Sequence, residues 1–152
     1  MRELIAGFIL LGLASGPATG QAKDQSDVTR SIIQAERRSI VAATMQLDYG
    51  QAALFWPLYD AYRDEVGLVN ERTFKLLDDY AAAYPTLNDD QAARLLDEWL
   101  DIERDTLDIR HKWARRFGRR LPARVVARFF QLDSRLDTVV RAELAKVVPL
   151  AR

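Results

Sequence analysis

The chain has 152 residues, of which 49% are hydrophobic and 29% are charged, a balance typical of a globular helical protein rather than a disordered one. It contains no cysteine, which excludes disulfides and thiolate chemistry. The 22 basic and 22 acidic residues are unevenly placed: 23–84 holds seven basic and ten acidic, 85–110 three and eight, and 111–152 eleven and three. We expect the acidic middle to pair with the basic end first, and an external anionic partner second.

The N-terminus has the pattern of a secretory signal peptide. Arg2 precedes an apolar run over 4–13, and small and turn-forming residues follow up to Ala22. The run is too short to span a bilayer, which takes about 20 apolar residues. We therefore expect 1–22 to be a cleaved signal peptide and 23–152 to be a single domain in the periplasm, without a stable membrane span. An uncleaved lipid-facing anchor is the alternative.

Hydrophobic periodicity predicts an all-α fold. Apolar residues recur at steps of three and four in four segments, and no segment alternates with period two. The predicted helices cover 27–46, 49–83, 89–117 and 122–148, the last three being long. Short loops imply antiparallel hairpins, arranged as an elongated bundle or an open curved cradle. An open arrangement would leave an apolar seam for a second copy to cover, so we predict a homodimer.

Proline and glycine mark the predicted helix boundaries. Pro57 should kink the second helix, because the carbonyl four residues earlier loses its donor. Pro85 should end that helix, with Tyr84 extended before it. Gly118 is placed to stop the third helix, and Pro122 fits the first position of the fourth.

Two similar stretches precede the long helices, Leu47-Asp48-Tyr49-Gly50-Gln51 and Leu87-Asn88-Asp89-Asp90-Gln91. In each, Asp or Asn at the N-cap can accept from the backbone N–H of the Gln three residues on. The Gln side chain can bond back to the cap, and the Leu can pack on the first turn. We interpret this motif as structural. Its residues are Leu47, Asp48, Gln51, Leu87, Asn88 and Gln91.

A row of carboxylates follows the third predicted helix. Its members are Asp97, Asp101, Asp105 and Asp108, with Glu98 and Glu103 beside them. Like charges four residues apart destabilise a helix, so either a divalent cation or pairing with the fourth helix should compensate. We favour pairing, with Arg141 near Glu98 and Arg135 near Asp105.

The candidate binding surface combines a basic cluster around the third turn with aromatic residues that fall off the predicted seams. It consists of Arg115, Arg116, Arg119, Arg120, Arg124, Arg128, Trp56 and Phe130, with Lys112 alongside. An acidic protein, an unfolded chain or phospholipid headgroups would suit it; a nucleic acid is not expected for an exported protein. The alternative is a solvated basic tip that meets Asp60, Asp64 and Glu65.

No pattern of catalytic chemistry is present in the sequence. His111 is the single histidine, and no nucleophile with a nearby base, Gly-rich phosphate loop or His/Cys pair at ligand spacing occurs. We therefore expect neither an enzyme nor a metal or cofactor site.

The two Leu-x-x-x-Gln helix starts in a small exported helical chain resemble the Leu-Thr-x-x-Gln family of periplasmic proteins, the Spy/CpxP-like group, over about 27–148. Asp48 and Asn88 stand where the family has Thr, and both can still cap a helix. The stretches FWPLYDAYRDE (55–65) and ARFFQLDSRLD (127–137) are similar to an uncharacterised exported subgroup with this organisation.

The resemblance implies helical hairpins in a curved antiparallel dimer whose concave face holds partly unfolded clients. The function it implies is an ATP-independent periplasmic chaperone for unfolded or misassembled envelope proteins. An envelope-stress or metal-responsive regulator that docks a sensor domain is the alternative. The metal-responsive relatives use His, Met and carboxylates, and His and Met are scarce in this chain.

Overall fold

The computed structural model describes residues 35–151, except the side chain of Val147. The predicted signal peptide and the start of the first predicted helix lie outside the described residues. The chain divides into two compact units, Met1–Arg38 and Ser39–Arg152. Of the first unit only 35–38 are described, and they are helical.

Four helices account for most of the described chain. Helix α1 covers 35–45 in its described part, α2 is Tyr49–Ala83, α3 is Asp89–Gly118 and α4 is Ala123–Val147. A short 3₁₀ turn, Tyr84–Thr86, follows α2. Residues 35–151 contain no strand, so the all-α prediction is confirmed. Within the same range, no helix combines the length and apolar character that crossing a membrane requires.

The starts of α2 and α3 have the predicted caps. Asp48 Oδ1 accepts from the Gln51 backbone N–H at 2.8 Å. Asn88 Oδ1 accepts from the Gln91 N–H at 2.9 Å, and Gln91 Oε1 accepts in return from the Asn88 N–H at 3.1 Å. The reciprocal bond is thus present at α3. At α2 the side chain of Gln51 makes no such bond among the described residues.

Two predictions about helix boundaries are wrong. Tyr84 is not extended but helical, with φ −50° and ψ −42°. Pro122 is the N-cap of α4 rather than its first residue. Gly118 is the last residue of α3, as predicted, although the turn there stays right-handed and the Leu121 N–H bonds Phe117 O at 2.9 Å. The left-handed position falls instead at Gln46, with φ 49°, just after α1.

Ion pairs fix the order of the long helices. Arg72 of α2 bonds Glu98 and Asp105 of α3, while Glu65, earlier in α2, bonds Lys112, later in α3, so the two helices are antiparallel. Helix α4 returns along α3, with Arg141 bonded to Glu103. The α2 helix continues through Pro57 without interruption.

The core lies where the α1–α2 and α3–α4 turns meet. Its centre is an aromatic cluster in which Phe55 contacts Phe117 and Phe129 with ring centroids 5.5 and 5.2 Å apart. Val41 and Met45 of α1 are buried against this cluster, and so is Leu121 of the α3–α4 turn. The other aromatic members are Tyr59, Tyr62 and Trp113.

The other half of the α2–α3 hairpin lacks such a core. No side chain from 70 to 101 is buried. Trp99 and Leu95 belong to the stripe of apolar residues that recurs at steps of three and four along α3, and Leu77 belongs to the equivalent stripe of α2. Trp99 is 48% exposed, and Leu77 and Leu95 are only partly buried. The apolar stripes therefore run along the whole of both helices, but the structure covers only the half that lies next to the α1–α2 and α3–α4 turns.

Candidate functional site

The predicted basic cluster lies at the end of the helices that holds the aromatic core. Residues 109–132 contain eight Lys or Arg and no Asp or Glu. Four of these cations have partners, and one of them, Arg110, bonds Asp137 of α4. Lys112 Nζ donates to Glu65 Oε1 at 2.5 Å, the Arg116 guanidinium lies 4.6 Å from the Trp113 ring centroid, and Arg128 Nη1 donates to the carbonyl of Met45 at 3.3 Å.

Four arginines of the cluster point into solvent. They come from the last turn of α3, the α3–α4 turn and the first turn of α4. In the part of the chain that the structure describes, none of them forms an ion pair or a side-chain hydrogen bond. We call this group the basic end; it consists of Arg115, Arg119, Arg120 and Arg124.

The Glu65 carboxylate sits between two donors of α3. Beside the Lys112 bond, its Oε2 accepts from Trp113 Nε1 at 2.7 Å. The Lys112 bond and the Trp113 bond outweigh the opposing effect of burial, so the pKa of Glu65 is lowered from its ordinary value of 4.5. Of the three acids proposed to meet the basic cluster, Glu65 makes this contact.

Trp56 and Phe130, predicted to lie off the seams, belong largely to the core. Trp56 is half-buried and meets Phe55 and Tyr59 edge-on, with centroids 5.2 and 5.4 Å away. Phe130 is half-buried and contacts Phe129 at 4.9 Å. The helical wheel placed them outside the main stripe, but the α1–α2 and α3–α4 turns bring extra side chains to this end and widen the buried surface.

Three carboxylates of α3 pair with arginines of the two neighbouring helices. Arg72 Nη2 bonds Glu98 at 2.9 Å and Arg72 Nη1 bonds Asp105 at 2.5 Å. Arg141 bonds Glu103 through both guanidinium nitrogens at 2.8 and 3.1 Å. The predicted pairs Arg141–Glu98 and Arg135–Asp105 are wrong, because α4 pairs with α3 five residues further along and α2 supplies the other cation.

No group of three or more His, Asp or Glu side chains is placed to hold an ion among the described residues. Asp101 pairs with Arg104 of its own helix instead.

Sequence reasoning missed a buried polar network between α2, α3 and α4. Asp133 has no solvent exposure, its Oδ2 accepts from Tyr62 Oη at 2.6 Å, and Arg63 Nη1 lies 3.8 Å from its Oδ1. Arg110 bonds Asp137 beside it. The available signal was position: Asp133 lies four residues after Phe129 and three before Leu136, on the apolar stripe of α4.

The network perturbs the ionisation of its members. Burial, together with the neighbouring Asp133 carboxylate, raises the pKa of Tyr62 well above its ordinary value. Burial opposes the charge of Arg110, but the Asp137 carboxylate and the Tyr62 hydroxyl outweigh it, so the pKa of Arg110 is raised. The network thus keeps a neutral phenol and a charged guanidinium in the helix interface.

An uncovered apolar row follows α3. Leu96, Leu100 and Leu107 share one face by helical spacing, with Trp99 beside them. Val140 of α4 precedes Arg141, whose guanidinium bonds Glu103; by helical spacing Glu103 lies between Leu100 and Leu107 on α3. Each of the five apolar side chains is 48–52% exposed. We call this the apolar surface; it consists of Leu96, Trp99, Leu100, Leu107 and Val140.

The arrangement offers surfaces for binding rather than an enclosed pocket for a small molecule. Among the described residues, the two best-defined depressions are open grooves, one between α2 and α3 near their connecting turn and one along α4. Comparison with protein-family models, with curated proteins and with solved structures finds no match to this chain.

Proposed function

We propose that the protein is an ATP-independent binding protein that holds non-native segments of exported proteins on its apolar surface. The observation that carries this proposal is the row of five half-exposed apolar side chains on α3 and α4. Scattered exposed leucines are ordinary, whereas several half-exposed apolar side chains on one face of a helix are typical of an interaction site. The Spy/CpxP-like resemblance of the helix starts supports the same conclusion.

A binding surface of this kind suits clients without a fixed shape. Apolar contact is non-directional and grows with the area removed from water, so an open row of leucines accepts many sequences. The basic end adds attraction for acidic segments and speeds encounter. Neither contribution requires nucleotide hydrolysis. We propose that this activity is periplasmic, and the signal-like pattern of 1–22 supports this location.

We also propose that the protein forms a homodimer. An antiparallel copy packed on α3 would set Leu100 against Leu107 of its partner. Such packing would cover part of the apolar surface, so client binding and dimerisation are to be measured together.

The test is suppression of aggregation of a chemically denatured model protein. Wild type at an equimolar ratio to client should suppress light scattering, and the variant Leu100→Ser/Leu107→Ser should lose most of this activity. Leu68→Ser is the matched control, because Leu68 is exposed on α2 outside the apolar surface. Absence of suppression by wild type would reject the proposal.

The same variants are examined by analytical ultracentrifugation. If Leu100→Ser/Leu107→Ser becomes monomeric and still suppresses aggregation, these leucines form the dimer contact and clients bind elsewhere. Loss of suppression at unchanged mass would assign the leucines to client binding.

The second candidate function is an envelope-stress or metal-responsive regulator that docks an acidic sensor domain. The four arginines of the basic end, which form no ion pair within the described residues, favour it. Salt-sensitive capture of one specific envelope protein, lost on Arg119→Glu/Arg120→Glu, would support this function over client holding. Calorimetry with zinc or copper tests the metal-responsive form, and absence of binding heat would reject it.

A further inference from the structure

An almost fully exposed tyrosine accompanies the basic end. Tyr49 is 93% exposed and opens α2. It lies at the same end of the helices as Arg119 and Arg120, because Arg128 of α4 bonds the carbonyl of Met45, four residues before Tyr49. The Tyr49 ring makes no contact with another aromatic ring in the described residues.

An exposed tyrosine beside several arginines is a combination that binds to bilayer surfaces. Tyrosine combines an apolar ring with a polar tip and is enriched at membrane–water interfaces. The planar guanidinium of arginine bonds phosphate oxygens in pairs. The α1–α2 turn carries one carboxylate, Asp48, against the four arginines of the basic end, so positive charge outnumbers negative charge there.

We propose that this end of the protein docks on a membrane surface that contains anionic phospholipids. The basic end would contact headgroup phosphates, and Tyr49 would enter the headgroup layer. A broad surface fits better than a single small anion, because the four arginines come from two helices and a turn and neither groove of the described chain lies among them. An acidic protein is the competing partner.

Docking there would leave the apolar surface free for clients. Leu107 and Arg119 are twelve residues apart on α3 and its end, which corresponds to about 18 Å along the helix. Membrane docking and client binding use different residues, so either activity can be lost while the other is retained.

The experiment is co-sedimentation of the purified full chain with two kinds of vesicle, phosphatidylcholine alone and an equal mixture of phosphatidylcholine and phosphatidylglycerol. The apolar run over 4–13 would bind both kinds, so the measured quantity is the ratio of the two affinities. A cation near an anionic surface contributes about fivefold in affinity. We expect wild type to bind mixed vesicles at least about tenfold more tightly, and added salt to remove this preference.

Two charge-matched variants locate the contact. Arg119→Gln/Arg120→Gln should reduce the ratio by about tenfold or more. Arg94→Gln/Arg135→Gln changes the net charge equally at exposed arginines without ion pairs in the described chain, and should leave the ratio within about twofold. Tyr49→Ala should lower the affinity for mixed vesicles. Circular dichroism verifies that each variant is folded.

Three results would overturn the proposal. The first is equal affinity of wild type for the two kinds of vesicle, and the second is an equal fall of the affinity ratio in the two arginine variants. The third is binding to poly-glutamate without preference for anionic vesicles, which would assign the basic end to an acidic protein. Leu100→Ser/Leu107→Ser should keep the vesicle ratio while losing client binding, so that failure of one proposal is distinguishable from failure of the other.

Discussion

Asp133 shows how a single residue sets the character of a helix interface. A carboxylate with no solvent exposure is stable only if donors replace its water, and here Tyr62 donates at 2.6 Å while Arg63 lies 3.8 Å away. Arg63 Nη1 is itself buried without a hydrogen bond, so its stability depends on the Asp133 charge. Removing one member therefore leaves another charge or dipole uncompensated.

Tyr62→Phe should lower the free energy of unfolding by about 1.5–3 kcal/mol, the range for a hydrogen bond to a charged group. Urea denaturation measures it. Tyr49→Phe is the control, because that hydroxyl is in water, and should change nothing. An unchanged stability of Tyr62→Phe would mean that other groups satisfy Asp133.

Because the pKa of Glu65 is lowered in the folded state, we expect the free energy of unfolding to fall at acidic pH. Its folded-state pKa lies below its ordinary value, so the folded state binds the proton less readily than the unfolded state. This stabilisation is complete above pH 4.5 and is lost as the pH falls from there through the folded-state pKa. Glu65→Gln should therefore show a shallower loss of stability below pH 4.5 than wild type. Parallel curves from thermal melts at successive pH values would contradict this.

Gln46 occupies the left-handed region, with φ 49°, where an L side chain is disfavoured. Gln46→Gly should raise the free energy of unfolding by about 0.5–1 kcal/mol, because relief of strain exceeds the added entropy of the unfolded chain. Gln46→Ala keeps the side-chain penalty and should bring no gain. A loss of stability in Gln46→Gly, measured by urea denaturation, would show that the Gln46 side chain makes a compensating contact.

At the scale of elements, the start of α3 depends on its reciprocal cap. Asn88→Ala should cost about 1 kcal/mol of unfolding free energy, whereas Asn88→Asp should keep the acceptor and cost little. Asn70→Ala, at an exposed position within α2, is the control and should not destabilise. Client binding by the folded Asn88→Ala protein should be unchanged; its loss at constant stability would give Asn88 a functional role.

The pairing of α3 with α4 shows which feature of a hairpin is hard to predict. Both helices and their turn follow from periodicity and proline placement, yet Arg141 bonds Glu103 rather than Glu98. The register depends on the path of the turn, where Leu121 is buried in the core and Phe117 O accepts from both Arg120 and Leu121. A turn of a few residues shifts every pair along the hairpin.

At the scale of the unit 39–152, stability is concentrated at the end with the two turns. Backbone amides around Tyr59, Phe117 and Phe129 should exchange hydrogen only on global unfolding. Amides in 76–83 and 92–100, where no side chain is buried, should exchange at least about tenfold faster. Hydrogen exchange followed by mass spectrometry measures this. If the amides in 76–83 and 92–100 were as protected as the core amides and stayed so when the protein is diluted, the prediction would be wrong. Protection of these amides that is lost when the protein is diluted would identify a dimer contact.

The sequence by itself determined the helices, their caps and the apolar stripes, because these depend on spacing and on residues within one turn of each other. It also located the basic cluster, since a segment with eight cations and no acid cannot neutralise itself; which of its arginines lack a partner in the described chain was decided by the tertiary structure. Only the tertiary structure decided which half of each stripe is covered, that Trp56 and Phe130 pack in the core, and that Asp133 is buried with Tyr62. Those outcomes depend on which helix faces which and in what register, and no local pattern specifies that.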